Sequence, residues 1–242
     1  MADGVRLNRF LASCGLGSRR KVEELIKEGR VRIDGKVVIL PGYRVMPGME
    51  VRVDDRTVSE QESRYLVVNK PPGVVCAVSD EWSPTVLSIL PQEFEEVRLF
   101  PVGRLDRDSQ GLLILTNDGL FAHDVMHPSK RILREYEVRV DRDITRKEVR
   151  RFMSGTVLDG RLVRPVNALL LDREPRGRWL SIVLAEGLKR EVRRMVAEIG
   201  CDVDVLIRRR IGKMVLRDLQ PGRFVEMSRG ALWRAIRNGG FV

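Results

Sequence analysis

Two helical patterns occupy the first part of the chain. The apolar positions of the first helix, and then of the second, are Leu7, Phe10, Leu11 and Cys14, followed by Val22, Leu25 and Ile26. Gly15 and Gly17 separate the two patterns, Ser18 can cap the second helix, and Gly29 ends it. The spacing therefore predicts two short helices that share one apolar core.

A β-hairpin is predicted directly after the second helix. Val31 and Ile33 alternate with arginines, which is the period of a strand with one buried face. Asp34-Gly35 favours a tight two-residue turn, and the chain then returns through Val37 and Ile39. The first forty residues thus form a predicted helix-helix-hairpin module.

A charged stretch from Asp54 to Arg64 reads as a linker, and the pattern changes beyond it. We place a domain boundary near Ser63, which gives a small domain over 5–63 and a larger one over 64–242. Strands are predicted at 65–69, 111–116, 134–140, 162–171 and 179–185, and helices at 120–127, 146–153 and 189–199. The order does not alternate strictly, so we expect an α+β fold with a mixed, mainly antiparallel sheet flanked by helices.

Composition points to a polyanionic partner. Forty-four Lys and Arg against thirty-four Asp and Glu give a net charge of +10, and the pI is near 10.1. Nucleic acid is the first candidate, although a basic surface that only maintains solubility would show the same balance. In the small domain the candidate RNA-binding residues are Arg6, Arg9, Ser18, Arg19, Arg20, Lys21, Arg30 and Arg32. Basic side chains and helix N-terminal amides both attract phosphate.

Cysteine and histidine usage argues against disulfides and metal. The three cysteines are far apart and form no Cys-x-x-Cys pair, which fits a reducing cytosol and predicts a cytoplasmic protein without membrane spans. His123 and His127 have the spacing of a zinc motif, but Asp124 replaces the required Glu and no third ligand is evident. We expect no metal there and interpret the pair as helix surface or cap.

Two further groups of residues allow expectations from pattern alone. The alternation over 203–207 suggests a strand that delivers Arg208, Arg209 and Arg210 to one edge, where phosphate contact is favoured over a solvated charge run. Trp82, Trp179 and Trp233 have no periodic spacing, so we treat them as packing residues.

The segment 102–111 is the best candidate for chemistry. It is polar and leads into the apolar strand 112–115, so it is a loop held by a rigid element. Arg104 and Asp106 are two residues apart and point the same way if the loop is extended. Taken alone, two such residues are more often a surface ion pair than a catalytic site.

The same segment carries a family resemblance. Its string GRLDRDSQGLLILTNDG resembles the signature of the bacterial ribosomal RNA pseudouridine synthases, which isomerise uridine in RNA. Three other motifs match in the family's order. Asn69-Lys70-Pro71-Pro72-Gly73 precedes this string, and the motifs at 134–138 and 186–195 come after it. The N-terminal module resembles an RNA-binding domain first seen in a small-subunit ribosomal protein.

The resemblance implies residue roles. Asp106 would be the catalytic carboxylate, Arg193 its cationic partner and Tyr136 a ring that stacks on the base and assists proton transfer. Arg104 would fill the space left by the flipped nucleotide. Arg190 lies three residues before Arg193 on the predicted helix, so the two side chains would be neighbours. One of them would then pair with Asp106 and the other would bind phosphate. Two positions depart from the family pattern: Glu191 replaces a common Gln, and Leu188 replaces a common basic residue.

The resemblance also implies a monomer that acts on ribosomal RNA or a pre-ribosomal particle, on the large subunit in preference to the small one, with neither cofactor nor metal. Two alternatives remain open. One is a noncatalytic ribosome-assembly factor that binds RNA. The other is a glycosidic hydrolase, for which Asp108 is the nearest second carboxylate in sequence.

Overall fold

The computed structural model describes residues 4–242 and divides the chain into two compact units. One unit contains the described residues up to Ser63 together with 91–99 and 117–119. The other contains 64–90, 100–116 and 120–242. Helices and mainly antiparallel strands occur in both, which confirms the predicted α+β class.

The small unit packs two helices against two small sheets. Its elements are β1 (Val5–Arg6), α1 (Leu7–Ser13), α2 (Arg19–Lys27), β2 (Val31–Ile33), β3 (Lys36–Val37), β4 (Arg44–Val45), β5 (Val51–Val53) and β6 (Arg56–Thr57). Strand β1 pairs with β4, and the other four strands follow the order β3-β2-β5-β6. Buried apolar residues from both helices and from β2, β4 and β5 form one core. The predicted helix-helix-hairpin module is therefore confirmed.

Local signals explain its turns and also one wrong boundary. The Ser18 hydroxyl accepts a hydrogen bond from the Lys21 backbone N–H at 3.2 Å and caps α2 as predicted. Asp34 and Gly35 both have positive φ, as the predicted tight turn requires. The returning strand ends at Val37 rather than at Ile39. The predicted linker begins as a second hairpin, since β5 turns back into β6.

The large unit is built on one ten-stranded sheet. Its elements are β7 (Tyr65–Lys70), β8 (Phe100–Pro101), β9 (Gln110–Thr116), α3 (Gly119–Met126), β10 (Arg134–Val140), α4 (Arg146–Met153), β11 (Thr156–Leu158), β12 (Arg161–Val163), β13 (Asn167–Leu170), β14 (Trp179–Leu184), α5 (Glu191–Ala197), β15 (Val203–Ile211), β16 (Met214–Val215), β17 (Phe224–Glu226), α6 (Arg229–Asn238) and β18 (Gly240–Phe241). A 3-10 turn lies at Pro128–Lys130, and another lies at Gln92–Phe94 in the segment of the small unit that comprises 91–99.

The main path of the sheet runs β13-β14-β10-β15-β9-β7-β17. Only the β15–β9 and β16–β18 pairs are parallel among the described strands, so the prediction of a mixed, mainly antiparallel sheet is confirmed. One apolar core packs α4 and α5 against the β14–β10–β15 half, and a second packs α3 and α6 against the β9–β7 half. Thr145 and Glu148 form the predicted capping box at α4. The sheet places the ends of β9, β10 and β15 side by side.

Several predicted boundaries in this unit were wrong. The strand predicted over 162–171 is split into β12 and β13 around Pro165, which cannot donate a ladder hydrogen bond. The helix predicted from 189 begins at Glu191, because Arg190 has a φ of 52° and is left-handed. Trp179 is buried and Trp233 packs in the second core, but Trp82 is 90% exposed and does not pack as predicted. Within residues 4–242, no helix has the length and hydropathy needed to cross a membrane.

Candidate active site

A pocket of about 500 Å³ opens in the large unit. Its walls come from the loop between β8 and β9, from β10 and β15, from the segment that links β14 to α5, and from α5 itself. The volume lies within the range of small-ligand sites in proteins. Arg104, Asp106, Tyr136, Arg190 and Arg193 all line this one pocket, although they are up to 89 residues apart in sequence.

A buried lysine holds the loop that carries Asp106 through hydrogen bonds to backbone carbonyls. Lys70, at the end of β7, has no exposed surface, and its ammonium donates to the carbonyl oxygens of Pro71, Arg107 and Ser109 at 2.9, 3.0 and 2.7 Å. Burial lowers the pKa of Lys70. Two of these carbonyls lie within three residues of Asp106, so the lysine fixes the backbone of the candidate catalytic loop.

Arg208 holds the same loop from the sheet. Its guanidinium donates from Nε to the Leu112 carbonyl at 2.6 Å and from Nη1 to the Arg104 carbonyl at 3.5 Å. β15 can approach this closely because Gly111 has no side chain: its φ is +118°, and a Cβ there would lie 2.4 Å from the Arg208 carbonyl oxygen. The loop is therefore tied to the sheet on two sides.

This position of Arg208 corrects the expectation for the arginine run. β15 lies between β10 and β9 rather than at an edge, and Arg208 is 2% exposed. Arg209 and Arg210 form ion pairs with Glu137 and Glu135 of β10, at 3.3 and 2.6 Å. The expected edge position is therefore wrong, and Arg209 and Arg210 pair with glutamates of β10 because adjacent strands place opposite charges on one face.

Two arginines converge on the Asp106 carboxylate. Arg193 Nε and Arg190 Nη1 lie 3.5 and 3.6 Å from the same oxygen, Oδ2. Arg193 is also anchored to β15, because its Nη1 donates to the Val203 carbonyl at 2.9 Å. Both arginines therefore face Asp106, instead of only one as the helix spacing suggested. The separations exceed those of short charge-assisted hydrogen bonds, so the carboxylate is held mainly by charge.

Tyr136 and Arg104 both line the pocket, from β10 and from the loop between β8 and β9. Tyr136 is in register with Arg208 across β10 and β15, is mostly buried, and shares its face with Val138 as predicted. Arg104 lies in the first half of that loop and is exposed. The pocket thus combines a buried aromatic residue, a carboxylate with two cations, and an exposed arginine.

Glu191 is a buried carboxyl residue of the pocket lining. It begins α5 and is 4% exposed; its Oε2 accepts from the Leu188 backbone N–H at 3.0 Å, and its Oε1 has no hydrogen-bond partner in the described chain. Burial raises the pKa of Glu191. Sequence reasoning noted Glu191 only as a departure from the family pattern. Lys70 was likewise quoted only as part of a motif, although a lysine directly after a buried strand is a signal of its own.

The candidate RNA-binding residues of the small unit fall into two groups. Arg30 pairs with Asp54 and Glu28, and Arg32 pairs with Asp55. The other cations are exposed and have no carboxylate within 4 Å in the part of the chain that the structure describes; they are Arg6, Arg9, Arg19, Arg20 and Lys21. Among the predicted RNA-binding residues, these five are the cations without an ion-pair partner in the described chain.

The two histidines lie close together at the C-terminal end of α3. Their rings lie 4.9 Å apart, but no group of three or more potential metal ligands occurs among residues 4–242. His127 instead caps the short 3-10 turn that follows it, because its Nδ1 accepts from the Ser129 backbone N–H at 3.3 Å.

Comparison with known proteins supplies the family. A model of the RNA pseudouridylate synthase family matches residues 64–198, and a model of the S4 domain matches residues 5–51. The chain belongs to the RNA pseudouridylate synthase family. It is accordingly an RNA pseudouridine synthase with an N-terminal S4 domain, and the noncatalytic alternative does not hold.

Relatives of this pseudouridine synthase align over most of its length. It is 36% identical to the ribosomal large subunit pseudouridine synthase B of Bacillus subtilis, over 92% of each chain. It is 37% identical to the protein of that name from Salmonella typhi, over 92% of this chain and 79% of the relative. A solved pseudouridylate synthase structure superposes with a TM-score of 0.65 at 26% identity, covering 95% of this chain and 98% of the other.

Proposed function

We propose that the protein converts a uridine of large-subunit ribosomal RNA into pseudouridine, with Asp106 as the catalytic carboxylate. The observation that carries the proposal is the grouping of Asp106 with Arg190 and Arg193 in a pocket that also contains Tyr136. The large-subunit target is supported by the names of the relatives from Bacillus subtilis and Salmonella typhi. The enzyme works as a cytoplasmic monomer and requires no metal or cofactor.

The isomerisation balances without any other reactant. The bond between ribose C1′ and uracil N1 breaks, the ring turns, and a bond forms between C1′ and C5. C5 loses one proton and N1 gains one, so no atom is added or removed. A carboxylate suits this reaction because it can attack as a nucleophile, or stabilise a cationic sugar, and then leave. Arg193 and Arg190 place positive charge within 4 Å of the Asp106 carboxylate.

Tyr136 contacts the flipped base, and Arg104 occupies the space that the base leaves in the RNA. The Tyr136 ring stacks on the displaced uracil, and its hydroxyl takes part in the proton transfer from C5. Arg104, an exposed residue of the pocket lining, fills the gap in the RNA from which the uridine has flipped. Flipping costs a few kcal/mol in paired RNA, so loops and immature ribosomal RNA are the preferred targets.

Residues 5–63 grip the RNA, and residues 64–242 carry out the reaction. The five unpaired cations described above, with the N-terminus of α2 capped by Ser18, supply the phosphate contacts of the small domain. Arg19→Gln with Arg20→Gln should weaken RNA affinity several-fold and leave the single-turnover rate at saturating RNA unchanged. Unaltered affinity would show that the small domain grips something other than RNA.

The substrate assignment is tested with purified protein and separate transcripts of the two ribosomal RNAs. We expect one new pseudouridine in the large-subunit transcript and none in the small-subunit transcript, together with no release of free uracil. Modification of the small-subunit transcript alone would contradict the assignment. Uracil release would indicate a glycosidic hydrolase instead.

A further inference from the structure

The hairpin formed by β11 and β12 delivers an arginine to the rim of the pocket. Arg161 begins β12, is exposed, and lines the pocket that contains Asp106. No carboxylate lies within ion-pair distance of it in the described chain, whereas Arg190 and Arg193 already face Asp106. Arg161 is therefore a rim cation without a partner of its own.

The hairpin is tied to the helix that carries the candidate site arginines. Both guanidinium nitrogens of Arg194 on α5 bind the Asp159 carboxylate, at 2.8 and 2.9 Å. Asp159 and Gly160 form the turn and have φ values of 51° and 74°. Leu158 and Val163 flank this turn and are buried in the core. The position of Arg161 relative to α5 is thus set by a two-bond ion pair and by packing on both sides.

A uridine that enters this pocket remains joined to its neighbours through a phosphate on each side. The base and sugar go to the pocket interior, so these phosphates stay at the rim, where an unpaired guanidinium is positioned to meet one of them. A planar guanidinium binds two phosphate oxygens at once, so it fixes the orientation of the strand as well as its position.

We propose that Arg161 binds a phosphate adjacent to the target uridine, and that the Asp159–Arg194 pair holds it in place. This inference rests on the proposed function, since it assumes that an RNA strand enters the pocket. Arg161 is a binding residue in this account, and Asp159 and Arg194 are positioning residues.

The test compares Arg161→Gln with Arg150→Gln, which removes an exposed arginine of α4 outside the pocket lining. RNA affinity and the single-turnover rate are measured between low and moderate salt with the full-length enzyme. Removing one phosphate contact lowers the slope of log affinity against log salt by about 0.7 to 0.9. We expect that change in Arg161→Gln and not in Arg150→Gln, with the slope restored in Arg161→Lys.

A second variant tests the positioning pair. Asp159→Asn should weaken RNA binding in the wild-type background and have little further effect when Arg161 is already Gln, because both changes remove the same contact. An Arg161→Gln slope equal to that of Arg150→Gln would overturn the inference. Pseudouridine formation by the wild type is scored separately, so failure of the proposed function is recognised independently of the slope.

Discussion

Lys70→Met should loosen the loop that carries Asp106. The lysine ammonium is buried without a carboxylate partner in the described chain and donates three hydrogen bonds to loop and strand-end carbonyls, at 2.9, 3.0 and 2.7 Å. Methionine has nearly the same length and shape, so the substitution removes the hydrogen bonds with little change in packing. The loop backbone would then lose its main fixed contact on that side.

The size of the effect follows from opposing contributions. Hydrogen bonds to a charged group contribute about 1.5–3 kcal/mol each, whereas burying an ammonium costs several kcal/mol, which the variant recovers. We expect a net loss of about 2–4 kcal/mol in the free energy of unfolding. A carboxylate displaced by about 1 Å loses roughly 100-fold in rate, so kcat should fall far more than KM changes.

Urea denaturation and single-turnover kinetics measure the two effects. Lys147→Met is the matched control, since that lysine is exposed on α4 and away from the pocket. Lys70→Met with a free energy of unfolding within about 0.5 kcal/mol of wild type and an unchanged kcat would refute the reasoning, because surface substitutions have effects of that size. It would mean that other contacts hold the loop.

Three further changes test separate parts of the site. Arg193→Gln should lower kcat roughly 10- to 100-fold because Asp106 loses its anchored cation, and Arg193→Lys should recover part of that loss. An unchanged kcat would show that Arg193 does not support Asp106 in catalysis. Because burial raises the pKa of Glu191, its protonated form contributes stability that is fully present below the unfolded-state pKa and is lost as pH rises through the folded-state pKa. Between these two pKa values, the free energy of unfolding of the wild type should fall by up to about 1.4 kcal/mol per pH unit relative to Glu191→Gln. Urea denaturation across pH measures this difference, and parallel profiles of the two proteins would contradict it. Gly111→Ala should destabilise by about 2–4 kcal/mol because of its positive φ and the neighbouring carbonyl, and Gly119→Ala, where nothing lies within 4 Å, should not; equal effects would contradict the close approach.

Much of the fold was predictable because its signals are local. Ser18 caps α2, Asp34-Gly35 forms the tight turn between β2 and β3, and Thr145 with Glu148 caps α4, each through contacts within three residues. The small-domain core follows from helical spacing in the same way. The charged segment after Val53 was predicted as a linker, but it contains the strand β6. A strand of two residues has too little periodicity to be recognised from the sequence.

The site was predictable only in part, for the opposite reason. Motifs indicated Asp106 and Arg193, but the contacts that hold them are nonlocal. Lys70 lies 36 positions before Asp106, and Arg208 reaches the loop only because β15 pairs in parallel with β9. Strand order in a ten-stranded sheet is not encoded in any single window of sequence. The arginine run was therefore assigned to an edge, although β15 lies in the interior of the sheet.

The role that we propose for Asp106 is catalysis of the isomerisation of one uridine in large-subunit ribosomal RNA. The most direct measurement is a chemical map of pseudouridine in ribosomal RNA from cells that lack this gene, complemented with wild type or with Asp106→Asn. We predict one large-subunit site that is absent without the gene, returns with wild type and does not return with Asp106→Asn, although that variant still binds the RNA. Restoration of the site by Asp106→Asn would contradict the account.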